Sequence, residues 1–300
     1  MKFYKAQTNG NDFIIITEND LTLIPSKIQE LADRKYGVGC DQVIFLRKNS
    51  EQYCVEFYNQ DGSRASMCGN GACAVGLLIS RVYGIDNVEL SVLAEVITNT
   101  ANCLTRHNAF KCSASVYARQ FAEYFSCQGL GMSREQANSA ACLDRPGGRD
   151  VVKLQGYHIA PPKNCVYNVR CSGDKVTIEF PLPEMHGNFV YTGNKHLVLP
   201  KSEISNVHEI ARENPDCNIH FVSKTAEHTL RVETFERGVG WTLACGSGAI
   251  AVGYHSGIKG KIEIIHDGGK SMVEVKSTQI ELTTAPKIVY EGEFYEQNNL

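Results

Sequence analysis

Short apolar runs alternate with amphipathic stretches along this chain, and its two halves use them in the same order. Gly10-Asn11 leads into the run Phe13 to Ile16, and Gly193-Asn194 leads into Leu197 to Leu199. Apolar runs of this length, entered through turn residues, predict buried strands. The spacing then changes. From Pro25 to Tyr36, Ile28, Leu31 and Ala32 share one helical face, and the pattern stops at Gly37. From Ser202 to Asn214, Ile204, Val207, Ile210 and Ala211 do the same and stop at Pro215. These predict one helix in each half. Strand patterns return at Val55 to Asn59, before the turn Asp61-Gly62, and at Leu230 to Glu236, before Gly238-Val239-Gly240. Helix-compatible stretches follow from Ala72 to Val82 and from Ala249 to His255. Each half therefore predicts strand, helix, strand, strand, turn, glycine-rich turn, helix.

The two halves are also related residue by residue. A shift of 177 positions carries Cys68-Gly69-Asn70-Gly71-Ala72-Cys73-Ala74-Val75-Gly76 onto Cys245-Gly246-Ser247-Gly248-Ala249-Ile250-Ala251-Val252-Gly253, with seven of nine residues identical. A repeat this long reads as duplication. The expected architecture is two homologous α/β domains facing one cleft across a pseudo-twofold axis. Equivalent residues would then lie on opposite walls of that cleft.

Composition narrows the function classes. The 300 residues are 43% hydrophobic and 21% charged, with a net charge of −3. That suits a soluble globular chain with room for two domains and carries no basic run for nucleic acid. The N-terminal residues form no apolar leader and no stretch is long enough for a bilayer, so the expected location is the cytoplasm. Twelve cysteines stand without a CxxC pair or a zinc-type His/Cys spacing. In a reducing compartment they should be free thiols, and no metal or other cofactor is expected.

Two of the cysteines differ from the rest. Cys68 and Cys245 each precede a glycine-rich helix start, where free N–H groups and the helix dipole favour negative charge. That placement predicts a lowered thiol pKa and a cradle for a carboxylate. Two such ends facing each other could hold one carboxylate with a sulfur on each face of its α-carbon. One thiolate would remove the α-proton and the opposite thiol would return one, inverting the centre. A single cysteine before a glycine is usually a small buried hydrophobe; a matched pair is not. Cys73 and Cys54 read as core, and Cys40 and Cys217 as packing residues near the cleft.

The motifs together resemble the diaminopimelate epimerase family. They are Thr8 to Phe13, Gly37 to Gln42, Phe57 to Gly71, Gly193 to His196, Asn218-Ile219, and Glu236-Arg237-Gly238 through Gly248. The resemblance implies a homodimer whose units each carry curled mixed sheets around a central helix. It implies LL-diaminopimelate as substrate and meso-diaminopimelate as product, in lysine and peptidoglycan precursor synthesis. Cys68 and Cys245 would flank the α-carbon, with Glu236 on the α-ammonium and His196 assisting proton transfer. Backbone N–H groups of Gly69, Asn70, Gly246 and Ser247 would hold the reacting carboxylate. Asn11, Gln42, Asn59, Asn194, Asn218 and Arg237 would clamp the distal end. The chain departs from the family at Gln7-Thr8-Asn9, at Lys195 in place of a common proline, and at Trp241, where many members carry a carboxylate.

The expected units are 1–150, completed by 289–300, and 165–288. From about residue 101 to 164 the first carries a segment atypical of the family. It contains Cys103, Cys112, Cys127 and Cys142, a predicted helix from Ser133 to Ala141, and a Pro146-Gly147-Gly148 break. Alternatives are a proline- or hydroxyproline-type racemase, which keeps the thiols without the distal clamp, and an inactive carboxylate-binding relative. A thiol-exchange protein would want a resolving cysteine nearby in sequence, and neither motif has one.

Overall fold

The computed structural model describes residues 1–17, 24–49, 52–65, 67–94, 97–99, 152–154, 157–159 and 163–295. Cys103, Cys112, Cys127, Cys142, the predicted helix Ser133 to Ala141 and the Pro146-Gly147-Gly148 break lie outside these residues, as does the end of the 289–300 segment.

The fold is mixed α+β, a long curled sheet with few helices. A strand absent from the sequence reading, Lys2–Thr8, opens the chain and forms a hairpin with Asn11–Ile16. Asn9 and Gly10 make its two-residue turn, both at positive φ (52° and 84°), as a tight hairpin matched to strand twist requires. Asn11–Ile16 then pairs in parallel with Gln42–Asn49, which pairs antiparallel with Gln52–Asn59. The second half repeats this: Lys195–Pro200 pairs in parallel with Asn218–Ala226, which pairs antiparallel with Thr229–Glu236.

The halves share one hydrogen-bonded sheet. Lys163–Ser172 pairs with Asn87–Ala94 on one side and Lys175–Pro181 on the other. Lys175–Pro181 then pairs with Gln279–Thr284. Lys287–Glu293 returns to pair with Lys2–Thr8.

The helices are α1 (Pro25–Ala32), α2 (Gly69–Tyr83), α3 (Val207–Glu213) and α4 (Gly246–His255). Helix α1 ends four residues before the expected Tyr36. Asp33 turns extended, and its Oδ1 accepts the N–H groups of Lys35 and Tyr36, closing a side-chain turn instead. The stretch expected as one helix from Ser202 starts as a 3-10 helix, Lys201–Asn206, before α3.

Over their buried turns, helices α2 and α4 are apolar on nearly every side, as buried helices must be. Residues 69–79 of α2 and 246–253 of α4 are buried, in one continuous core. Two satellite cores sit under α1 and α3, and they bury Cys40 and Cys217 respectively. Cys54 and Cys73 are buried in the same way. No helix among the described residues is long and apolar enough to cross a membrane.

Candidate active site

The sheet places α2 and α4 with their N-termini against each other. A Cβ on Gly246 would fall 2.7 Å from Asn70 N, and one on Gly69 would fall 3.3 Å from Gly246 C. Only glycine permits that approach. Cys68 and Cys245 are the N-caps of these two helices, both extended (φ −134° and −124°). The Cys68 sulfur accepts the N–H of Gly71 at 3.3 Å, and the Cys245 sulfur accepts that of Gly248 at 3.3 Å. The two caps are thus built alike, as the repeat requires.

Glu236 lies within electrostatic reach of both sulfurs and hydrogen-bonds Cys245. Its Oε1 accepts the Thr242 hydroxyl at 2.8 Å. Burial lifts the Glu236 carboxyl to about 6, helped by Asp41 and opposed by the Thr242 and Cys245 hydrogen bonds.

The thiols correct one expectation. The helix ends predict lowered thiol pKa values, and the opposite holds. Burial pushes Cys68 up to about 12 and Cys245 well above the ordinary thiol value, and the negative Glu236 adds to both. The N–H groups of Gly71 and Gly248 pull the other way but are outweighed. Desolvation of a charged sulfur costs more than two or three amide dipoles return.

The polar residues around the thiols form short chains of contact. Asn11 Nδ2 donates to Asp41 Oδ2 at 2.9 Å. Its Oδ1 lies 3.5 Å from Asn70 Nδ2 and 3.8 Å from the Cys68 sulfur. Asp41 is held by Arg34, which also forks onto Asp12. Burial alone would raise Asp12, but hydrogen bonds from Arg34 and Lys5 outweigh it and bring its carboxyl to about 2. Asn194 donates to the carbonyl of Met67, one residue before Cys68. Thr8 donates to the carbonyl of Asn70, and Ser247 Oγ lies 3.5 Å from the Cys245 sulfur.

Gln42 and Asn59 are partners of each other, with Gln42 Nε2 donating to Asn59 Oδ1 at 3.0 Å, and Gln42 Oε1 buried without a partner. Asn218 Oδ1 accepts the backbone N–H of Arg237 at 3.0 Å. The Arg237 side chain is exposed and makes no ion pair among the described residues. Cys68, Cys245, Glu236, Asn11, Gly69, Asn70, Gly246 and Ser247 therefore come together. Asn194 braces the turn before Cys68, and Arg237 stands at the rim.

His196 is fully buried and shares a 2.8 Å hydrogen bond, through Nδ1, with Nε2 of His220. Burial holds His196 down at about 3, and His220 also lies well below the ordinary histidine value. Both rings are therefore neutral near pH 7. A nitrogen of each lies within 4.8 Å of the Cys245 sulfur. Tetrahedral zinc would hold two nitrogens about 3.3 Å apart; the 2.8 Å pair points its lone pair at an N–H instead. Sequence reasoning missed His220, Thr234, Asp41 and Thr242. Asp41 sits inside a motif it used, and the others carry no motif signal.

The family model described as diaminopimelate epimerase matches residues 3–102. A diaminopimelate epimerase from Aquifex aeolicus is 30% identical over 88% of this chain and 84% of its own. The chain belongs to the diaminopimelate epimerase family. It is an isomerase of the epimerase class. Another diaminopimelate epimerase, from Leptospira biflexa, is 29% identical over 98% of both chains. A solved hydroxyproline epimerase from Agrobacterium vitis shares the fold, with TM-score 0.56 and 10% identity over 97% of this chain and 91% of that one. In this diaminopimelate epimerase family member Trp241 is exposed and packs edge-on against Phe235.

Proposed function

We propose that this chain interconverts LL- and meso-diaminopimelate by two-base proton transfer between Cys68 and Cys245, without a cofactor. The observation that carries the reading is the pair of thiol N-caps on two abutting buried helices, with Glu236 beside both. The active cleft then lies between units spanning 1–150 and 165–288. The product serves lysine and peptidoglycan precursor synthesis in the cytoplasm, and the working form is a homodimer.

The raised thiols explain how the site stays off until it is filled. Burial is the main reason both thiols stay protonated and negative Glu236 adds to it; a substrate α-ammonium cancels the Glu236 part. One thiol gives up its proton to solvent as substrate binds, leaving one thiolate and one thiol. The thiolate takes the α-proton and becomes a thiol, while the opposite thiol protonates the other face and becomes the thiolate. The N–H groups of Gly69, Asn70, Gly246 and Ser247 face the carboxylate as it gains charge, where preorganised donors act most strongly. Arg237 at the rim suits the distal carboxylate, which its planar fork can bind with two bonds.

Proton–deuterium exchange at the α-carbon of LL-diaminopimelate in heavy water tests the reading. Inversion with solvent deuterium incorporation is expected. Cys68→Ala and Cys245→Ala should each lose turnover by a factor of at least about a thousand and keep the fold. A large remaining turnover in either variant would defeat the two-base reading.

A further inference from the structure

The pairing registers align the two halves through the ground beneath each thiol helix. Phe13 pairs with Gln42 where His196 pairs with Asn218. Two residues on, Ile44 pairs with Phe57 where His220 pairs with Thr234. Phe13, Ile44 and Phe57 therefore correspond to His196, His220 and Thr234, and all six are buried.

The correspondence extends to the helices above. A Cβ on Gly71, in the first turn of α2, would meet Phe57 at 2.9 Å and Ile44 at 3.0 Å. A Cβ on Gly248, in the first turn of α4, would collide with the ring of His220. So the Cys68 helix stands on three apolar side chains, and the Cys245 helix stands on a hydrogen-bonded chain. That chain runs from Thr234 Oγ1 to His220 Nδ1 at 3.1 Å, and from His220 Nε2 to His196 Nδ1 at 2.8 Å. The far nitrogen of His196, Nε2, is buried and unpartnered.

Burying two imidazoles where the duplicate has isoleucine and phenylalanine costs stability unless every polar atom is used. The unpartnered Nε2 is the one atom left over, and a ring nitrogen of His196 lies within 4.8 Å of the Cys245 sulfur. We propose that His220 and Thr234 are positioning residues that lock the tautomer and orientation of His196 for Cys245 alone, so that the two thiols perform unequal half-reactions. This rests on the two-thiol reading above. Neutral rings sharing one hydrogen bond must have complementary tautomers. If Thr234 donates to His220 Nδ1, His220 donates to His196 Nδ1, and His196 Nε2 carries the hydrogen. No net proton passes along the chain; the α-proton moves only between carbon and sulfur.

The consequence is directional. Loss of His220 slows the half-reaction made by Cys245 and spares that made by Cys68. For the stereoisomer whose α-proton Cys245 removes, removal becomes more rate-limiting, so the substrate α-deuterium isotope effect rises. For the other stereoisomer, the slow step becomes reprotonation, so its isotope effect falls and solvent deuterium washes into unreacted substrate.

The test measures kcat, KM and α-deuterium isotope effects in both directions for the wild type, His220→Leu and Thr234→Val. His220→Leu should lose on the order of tenfold in kcat, with KM nearly unchanged and isotope effects moving in opposite senses. Thr234→Val keeps the side-chain shape, removes only the hydroxyl, and should move them the same way by less; if His220→Leu does not fold, it carries the test alone. Isotope effects unchanged in both directions, or moved alike, would mean the residues merely support the fold and would overturn the inference. A wild type that exchanges no α-proton of diaminopimelate would instead overturn the two-thiol reading itself.

Discussion

The Glu236 carboxyl sits at about 6 because burial outweighs its hydrogen bonds, and that has consequences for both activity and stability. On the proposed reading Glu236 binds the substrate ammonium and must be ionised, so kcat/KM should fall as pH drops through about 6, and Glu236→Gln should lose that limb along with most of the turnover. For stability the sign runs the other way. The folded carboxyl holds its proton more tightly than the unfolded one, whose ordinary value is 4.5. Stability from this group is therefore full below 4.5 and is lost as pH rises through about 6. Glu236→Gln should melt higher than the wild type at pH 8 and no higher at pH 4; a variant that melts lower at pH 8 would show the carboxylate is not buried at a cost. At this scale the thiols were legible in sequence because they are repeated. Their raised pKa values were not, because a helix N-terminus shows in sequence and burial does not. His220 and Thr234 were invisible for the opposite reason: their counterparts in the duplicate are Ile44 and Phe57, so the repeat says nothing of them.

Between elements, the contact that matters is the meeting of α2 and α4 at their N-termini. Gly246→Ala would place a methyl carbon 2.7 Å from Asn70 N and 2.8 Å from Asn70 Oδ1. Backbone cannot yield as a flexible side chain can, so the helix ends must separate. Overpacking of this kind costs about 1–3 kcal/mol, and the separation moves apart the two helix ends proposed to hold one carboxylate. Gly246→Ala should therefore lower the melting temperature and raise KM together. A variant with unchanged KM would indicate that the two helix ends do not bind one carboxylate. The strands and helices that carry these ends were foreseen from periodicity, since Val55 to Asn59 and Leu230 to Glu236 fall within observed strands. Helix ends were less legible. Asp33 stops α1 by capping the amides of Lys35 and Tyr36, a local competition that apolar spacing cannot show. The strand Lys2–Thr8 escaped notice because its alternation is broken by Lys5, which is buried through contacts to Asp12 and the Gly39 carbonyl.

At the scale of the whole molecule, duplication was visible in sequence but the joining of the halves was not. Their union rests on pairings distant in sequence, such as Lys163–Ser172 with Asn87–Ala94 and Lys287–Glu293 with Lys2–Thr8. These also limit how the atypical segment can be removed. The expected span of about 101 to 164 runs into Lys163–Ser172, which the sheet needs, so a deletion must stop earlier. Ile97–Asn99 and Tyr157–Ile159 form an antiparallel ribbon in which Asn99 pairs with Tyr157. Their adjacent ends can be closed by a two-residue Asn-Gly turn, the turn that antiparallel pairs favour. A chain lacking residues 100–156 and closed this way retains every residue named at the site, and retains the pairing of Lys163–Ser172 on both sides. It should fold, and it should interconvert LL- and meso-diaminopimelate with kcat within about threefold of the full chain, as expected when contacts to the reacting groups are unchanged. Circular dichroism and thermal melting would establish folding independently of turnover. A shortened chain that melts cooperatively yet turns over no substrate would show that residues 100–156 reach the cleft and take part in binding or closure.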